Sequence, residues 1–284
     1  MSQEQSLPID QQLSIEEARA IMRGGLGRYE LELVTSFCAP IYWAIRRDDE
    51  GVRSRNGTTF FLDAGEGLFA VTACHVIEGW RKSRQTENAG PLRVAGNGYS
   101  VQLDWEACVI DEHAEIDIAT FRFKQADVTA LGKNVLTGYQ KQWPPAPPAE
   151  RCGIYYCGYP GVGTRYPSVR EVIFGATPGS GIATSVSETD VSSLIERQHL
   201  VAVLGGGIPP ENFDFGGISG GPMLLVVQQQ LRSWGLAGVI YQGPNTSDNP
   251  EEAIAGLEII KARRAHFLLP NGRLDQARWQ VVSR

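Results

Sequence analysis

Residues 216–222 read Gly-Gly-Ile-Ser-Gly-Gly-Pro, and the apolar run Met223-Leu224-Leu225-Val226-Val227 follows at once. A run of that length closed off by turn residues predicts a buried strand, so the glycine-rich turn before it must be held against a core. A serine hydroxyl is a weak nucleophile. Using it takes a neighbouring base, and backbone N–H groups aimed at the oxyanion that forms when a carbonyl is attacked. Gly217 has no Cβ and can turn its N–H inward, and the N–H of Ser219 can share the same hollow, which makes these two the candidate oxyanion donors. Taken alone, the segment is equally a glycine-rich turn before a strand. Partners elsewhere in the chain decide between the two.

Two stretches supply such partners. Leu68 to Val76 is mostly apolar with His75 next to its end, which places an imidazole at a strand end where a loop begins. Glu115 to Phe123 alternates apolar and polar residues and predicts a half-buried strand with Asp117 at its entrance. The order His75, Asp117, Ser219 is one of the arrangements in which a serine triad occurs. Asp111, Glu112 and Glu115 are nearby carboxylates, but none is followed by the same alternation. His113, His199 and His266 read as surface or packing histidines. Cys74 precedes the candidate base and faces the other way along a strand, which predicts a buried, inert thiol.

Together, Thr-Ala-x-His-Val at 72–76, Asp-Ile-Ala at 117–119 and Gly-x-Ser-Gly-Gly-Pro at 217–222 resemble the chymotrypsin/trypsin-like serine peptidases, in particular their intracellular bacterial, heat-shock-protease-like branch. The resemblance implies an all-β fold of two packed six-stranded antiparallel β-barrels, with a short N-terminal helix and a C-terminal helix. It implies a serine endopeptidase acting on a protein or peptide through His75, Asp117 and Ser219, with no cofactor and no metal. By the same resemblance Tyr241, Gln242 and Gly243 pair with the substrate backbone as an added strand, and Gly243 keeps the primary pocket open. The pocket floor falls near Phe213 and Asp214, so either an aromatic lining or a negative charge dominates; the expectation leans apolar. Secreted relatives switch on through an acid just before the serine, but Ile218 stands there. Control through loop ordering or a regulatory protein partner is expected instead.

The organisation follows the same pattern. Residues 1–35 form an extension with a short helix, opened by a capping box at Ser14 and Glu17 and stopped by Gly24-Gly25. Residues 36–140 carry short strands and hold His75 and Asp117. Residues 141–150, rich in proline, read as a linker. Residues 151–284 resume the strands, hold Ser219, and end in a strand running into a helix over 261–269. Ser233-Trp234-Gly235 reads as a hairpin turn.

Composition excludes several classes. The 284 residues carry 42% hydrophobic and 20% charged residues and a net charge of -6, without the basic run that a nucleic-acid binder would present. No apolar stretch reaches the roughly 18 residues of a membrane span. The first residues lack a secretory signal, so a cytoplasmic location is expected. The five cysteines are odd in number and lie in strand-like contexts, which fits reduced thiols, and none has zinc-ligand company. Two rivals stand beside the peptidase. An α/β-hydrolase esterase would use Gly217 to Gly221 as its elbow with Asp248 and His266 following, but the residues after Ser219 read as strands and not as a helix. A catalytically silent, protease-like binding module would keep the fold without turnover.

Overall fold

The computed structural model describes residues 25–47, 51–137, 143–168, 171–196, 216–228, 232–243 and 257–283. The chain is mostly β, with few helices. A helix α1 (Gly25–Ser36) leads into β1 (Cys38–Arg47), β2 (Gly51–Asp63) and β3 (Leu68–Thr72). Helix α2 (Cys74–Thr86) follows, then β4 (Arg93–Gly96), β5 (Tyr99–Gln102), a one-turn α3 (Trp105–Cys108), β6 (Val109–His113), β7 (Ile118–Arg122) and α4 (Gln125–Ala130). These strands form one seven-stranded antiparallel sheet in the order β5-β4-β1-β2-β3-β7-β6.

The second half contains β8 (Gly153–Gly158), a two-stranded ribbon β9 (Arg165–Ser168) and β10 (Glu171–Ile173), then β11 (Thr177–Val186), β12 (Asp190–Glu196), β13 (Pro222–Gln228), β14 (Arg232–Gln242), β15 (Leu257–Arg264) and a terminal α5 (Gln276–Val282). Here six strands close into a barrel in the order β11-β12-β15-β14-β13-β8. The expectation of two six-stranded barrels therefore meets one closed barrel and one seven-stranded sheet, whose closure is not found among the described residues.

Three apolar clusters hold these units, and strand alternation explains them. In β1, Ala39, Ile41, Trp43 and Ile45 point into the core of the first sheet with Phe61, Phe121 and Trp105. Cys38, on the opposite face, joins the layer between the two units, where Val34, Phe37, Phe60 and Ile118 meet Tyr155, Leu224, Val239 and Phe267. Ile154, Met223, Ile240 and Ile260 fill the barrel itself. A strand buried on both faces reads as a run of apolar residues, which is why 223–227 was recognisable.

Other expectations are corrected. The predicted helix at 14–22 lies outside the described residues, and Gly25 begins a helix where it was expected to end one. Cys74 and His75 form the first turn of helix α2 and do not end a strand before a loop; the helix's buried Val76, Ile77, Trp80 and Ser83 have helical spacing. Residues 261–264 are strand, because they hydrogen-bond to both β12 and β14, and a filled ladder outweighs the helix propensity of Lys-Ala-Arg-Arg. The C-terminal helix comes later, opened by the Asp275 carboxylate, which accepts from the N–H of Arg278 at 3.0 Å. Ser233-Trp234-Gly235 lies within β14, one residue beyond the Gln228–Arg232 pair that starts the hairpin ladder. No helix among the described residues is long and apolar enough to cross a membrane.

His266 sits in the turn after β15, buried, its Nε2 without a hydrogen-bond partner and its ring edge-on to Phe267. Burial, with Arg264 and Arg278 nearby, lowers its pKa from 6.5 to about 4. The unfolded chain thus binds the proton more readily, and the fold loses stability as pH falls from about 6.5 towards 4. Urea midpoints measured across that window should show His266→Leu less acid-sensitive than the wild type by about 1–2 kcal/mol, allowing for partial solvent contact.

Candidate active site

Helix α2 begins without help from its own N-cap: Ala73 is extended at φ -78 and offers no side-chain acceptor. The first N–H groups of a helix lack intrahelical partners. Asp117 supplies one from 42 residues further along, its Oδ1 accepting the backbone N–H of His75 at 2.9 Å. Its Oδ2 lies 2.7 Å from Nδ1 of the same residue's ring. One carboxylate therefore caps the helix and fixes the imidazole. Asp117 can aim both oxygens this way because it closes a tight turn, with φ +57 and its N–H on the carbonyl of His113 at 2.9 Å. Aspartate tolerates that left-handed backbone better than most residues. The His75 side chain is 45% exposed and that of Asp117 16%, so Nε2 faces the open side while the carboxylate is shielded.

The serine loop is fastened by its carbonyls. The carbonyl of Gly216 accepts from the N–H of Gly161 at 2.7 Å, and that of Ile218 from the N–H of Gly221 at 3.0 Å. A trans peptide is planar, so fixing its oxygen fixes its N–H in the opposite direction. The two N–H groups so aimed are those of Gly217 and Ser219, and neither has an acceptor among the described residues. Buried Thr58 of β2 completes the fastening: its N–H donates to Ser219 O at 2.9 Å and its hydroxyl to Gly217 O at 2.7 Å. Gly217 has φ +105, and a Cβ there would lie 2.6 Å from Tyr159 O. Gly220, at φ +91, packs so closely on Thr58, Thr72 and Ala73 that the serine loop rests on the strand end leading to His75.

Ser219 Oγ donates to the carbonyl of Tyr241 at 3.4 Å, a long bond, and makes no hydrogen bond to His75. Catalytic hydrogen bonds are often long or misaligned before substrate binds. Tyr241 and Gln242 end β14 beyond its last partner on β13, the Pro222–Val239 pair, so their main chain borders the serine loop. The Tyr241 ring turns away from that edge and stacks on Arg263. Gly243 follows β14 directly, and Phe213 and Asp214 lie outside the described residues.

The neighbouring alternatives are engaged elsewhere. Asp111 accepts from the N–H of Leu274, Glu115 from the Trp279 indole, and His113 Nδ1 from the N–H of Ile116. Of the esterase candidates, His266 is buried behind the barrel turn and Asp248 lies outside the described residues, as does His199. Burial, Glu78, Glu112 and Asp117 raise the Cys74 thiol to about 12, so it stays protonated beside the base. Among the described residues no cluster of three metal-ligating side chains occurs. Thr58 and Gly161 were not among the sequence candidates. A threonine in a strand and a glycine after Pro160 carry no signal of the loop they hold.

One solved structure with a similar chain course is the serine protease domain of the Sesbania mosaic virus polyprotein, 18% identical, covering 81% of this chain and 92% of that one, with a TM-score of 0.40. No protein-family model matches the sequence. No curated protein sequence matches it either.

Proposed function

We propose that the chain is a chymotrypsin-like serine endopeptidase. The observation that carries the reading is the carboxylate of Asp117 on Nδ1 of His75 at 2.7 Å, next to a serine loop that packs on Ala73 and whose Gly217 and Ser219 N–H groups have no acceptor among the described residues. In this reading a peptide lies along the main chain of Tyr241, Gln242 and Gly243. Ser219 Oγ swings from the Tyr241 carbonyl, attacks the scissile carbonyl and passes its proton to Nε2 of His75. Asp117 holds the ring with its proton on Nδ1 and stabilises the imidazolium. The N–H groups of Gly217 and Ser219 receive the oxyanion. His75 then protonates the leaving amine, and water, activated by the same ring, releases the acyl group. The reading stops at the chymotrypsin-like class, since nothing in the site singles out a heat-shock branch.

One observation favours a second reading, a silent binding module: the Ser219 hydroxyl is bonded to a carbonyl and not to the imidazole. A fluorophosphonate probe separates the two. Mass spectrometry of the treated protein should place the adduct on Ser219, with none in His75→Ala or Ser219→Ala. A wild-type protein that takes no label would favour the binding module. A labelled protein that cleaves esters but no member of a peptide library would be an esterase on this fold.

A further inference from the structure

Arg263 belongs to β15 of the closed barrel, yet its side chain reaches into the first sheet. It is 8% exposed. Its Nε donates to the carbonyl of Ile116 at 2.8 Å, and one Nη to that of Glu115 at 3.3 Å. The other Nη meets the Asp190 carboxylate at 2.8 Å. The guanidinium carbon lies 4.7 Å from the ring centroids of both Tyr241 and Trp279, and the Trp279 indole donates to the Glu115 carboxylate at 2.9 Å.

The two carbonyls it grips belong to the residues immediately before Asp117. The ring it lies against belongs to the residue whose carbonyl accepts from Ser219. We infer that Arg263 is a positioning residue, which locks the turn carrying Asp117 to the strand end beside Ser219 and so keeps the carboxylate on His75 in register with the nucleophile; as a role in catalysis this rests on the peptidase reading above. The chemistry asks for arginine. Only a planar fork can donate in two directions in one plane while its faces stack on two rings. A lysine would keep the charge opposite Asp190 and lose the reach to both carbonyls.

The test uses the full chain and two readouts. The first is hydrogen exchange of the His75 backbone amide, which owes its protection to Asp117; Asp117→Ala sets the unprotected rate, and the Met223 amide in the barrel reports global stability. The second is the rate at which Ser219 takes the fluorophosphonate. Arg263→Gln is expected to speed His75 exchange by about tenfold or more relative to Met223. It should slow labelling by about 10- to 100-fold, the range a misplaced catalytic group commonly costs. Arg263→Lys should fall between. A purely structural arginine would speed both amides alike and leave labelling below the melting temperature unchanged, and that result overturns the inference. If Arg263→Gln does not fold, Arg263→Lys decides, and wild-type exchange and labelling in it are equally fatal. A wild-type His75 amide that exchanges as fast as in Asp117→Ala overturns it too. Protected His75 without any labelling of the wild type removes the peptidase reading, while selective deprotection in Arg263→Gln still upholds the lock.

Discussion

Replacing Asp117 with asparagine is expected to lower kcat/KM for peptide hydrolysis by about 10^4-fold, with the protein still folded. The carboxylate accepts twice, from the His75 backbone N–H at 2.9 Å and from the ring at 2.7 Å. An asparagine has one acceptor oxygen and one donor amide. With the oxygen on the backbone N–H, the amide donates to Nδ1, which moves the ring proton to Nε2 and removes the lone pair that must take the serine's proton. With the amide reversed, two donors face each other at the start of α2. The first arrangement costs the least structurally and is the one expected, so thermal stability should change far less than activity. Steady-state kinetics on a substrate chosen from a peptide library, with a melting curve beside it, checks both halves. Near-normal turnover in Asp117→Asn would assign the orienting role elsewhere.

Gly220→Ala should be among the most damaging single methyls that the described residues could receive. A Cβ at that position would sit 2.1 Å from Thr58 O, 2.4 Å from Thr72 Oγ1 and 2.9 Å from Ala73 N, on two buried strand residues and the buried N-cap of α2, which have no room to retreat. The backbone there has φ +91, which an alanine adopts only at a cost of about 1–3 kcal/mol before any clash is counted. Clash and strain together should lower the unfolding free energy by about 3–5 kcal/mol, measured by urea denaturation. Where the variant still folds, labelling of Ser219 should drop by at least about 100-fold, because the strain relaxes by lifting the serine loop off the strand that leads to His75. Unchanged stability would mean that the loop does not rest on that strand.

Much of this was readable in the residues, and the reasons for the remainder are physical. A serine among glycines before Met223 to Val227 announces a turn pinned to a buried strand, and both were found. The strand after Asp117 is announced by the alternation of Ile118 to Phe123, but Ile118 to Phe121 are all buried, so it is not the half-buried strand that the alternation predicts. The helix that holds His75 is hidden in the sequence although Val76, Ile77, Trp80 and Ser83 carry a helical period, since Gly79 within it and the apolar strand before it mask the change of period. Residues 261–264 look helical by local propensity, which cannot reveal two strands waiting on either side. Thr58 and Arg263 were invisible for a related reason. Their contacts join segments 159 and 147 residues apart, and a basic residue near the end of a chain reads as solvated until something is found to enclose it. Phe213 and Asp214 lie outside the described residues, so the primary pocket keeps the expectation drawn from the sequence.

The carbonyls of Gly216 and Ile218 hang from Gly161 and Gly221, and that has a kinetic meaning for the proposed enzyme. Their donor N–H groups are aimed when the chain folds, so an incoming peptide meets a hollow already polarised to receive negative charge, and no solvent-like rearrangement has to accompany bond formation. The aim of the Gly217 N–H is inherited from a turn that follows β8, and that of the Ser219 N–H from Gly221 within the loop itself. The turn after β8 packs directly on the serine loop, where a Cβ on Gly217 would lie 3.2 Å from the Gly161 nitrogen, and so it helps set the field in which the bond breaks.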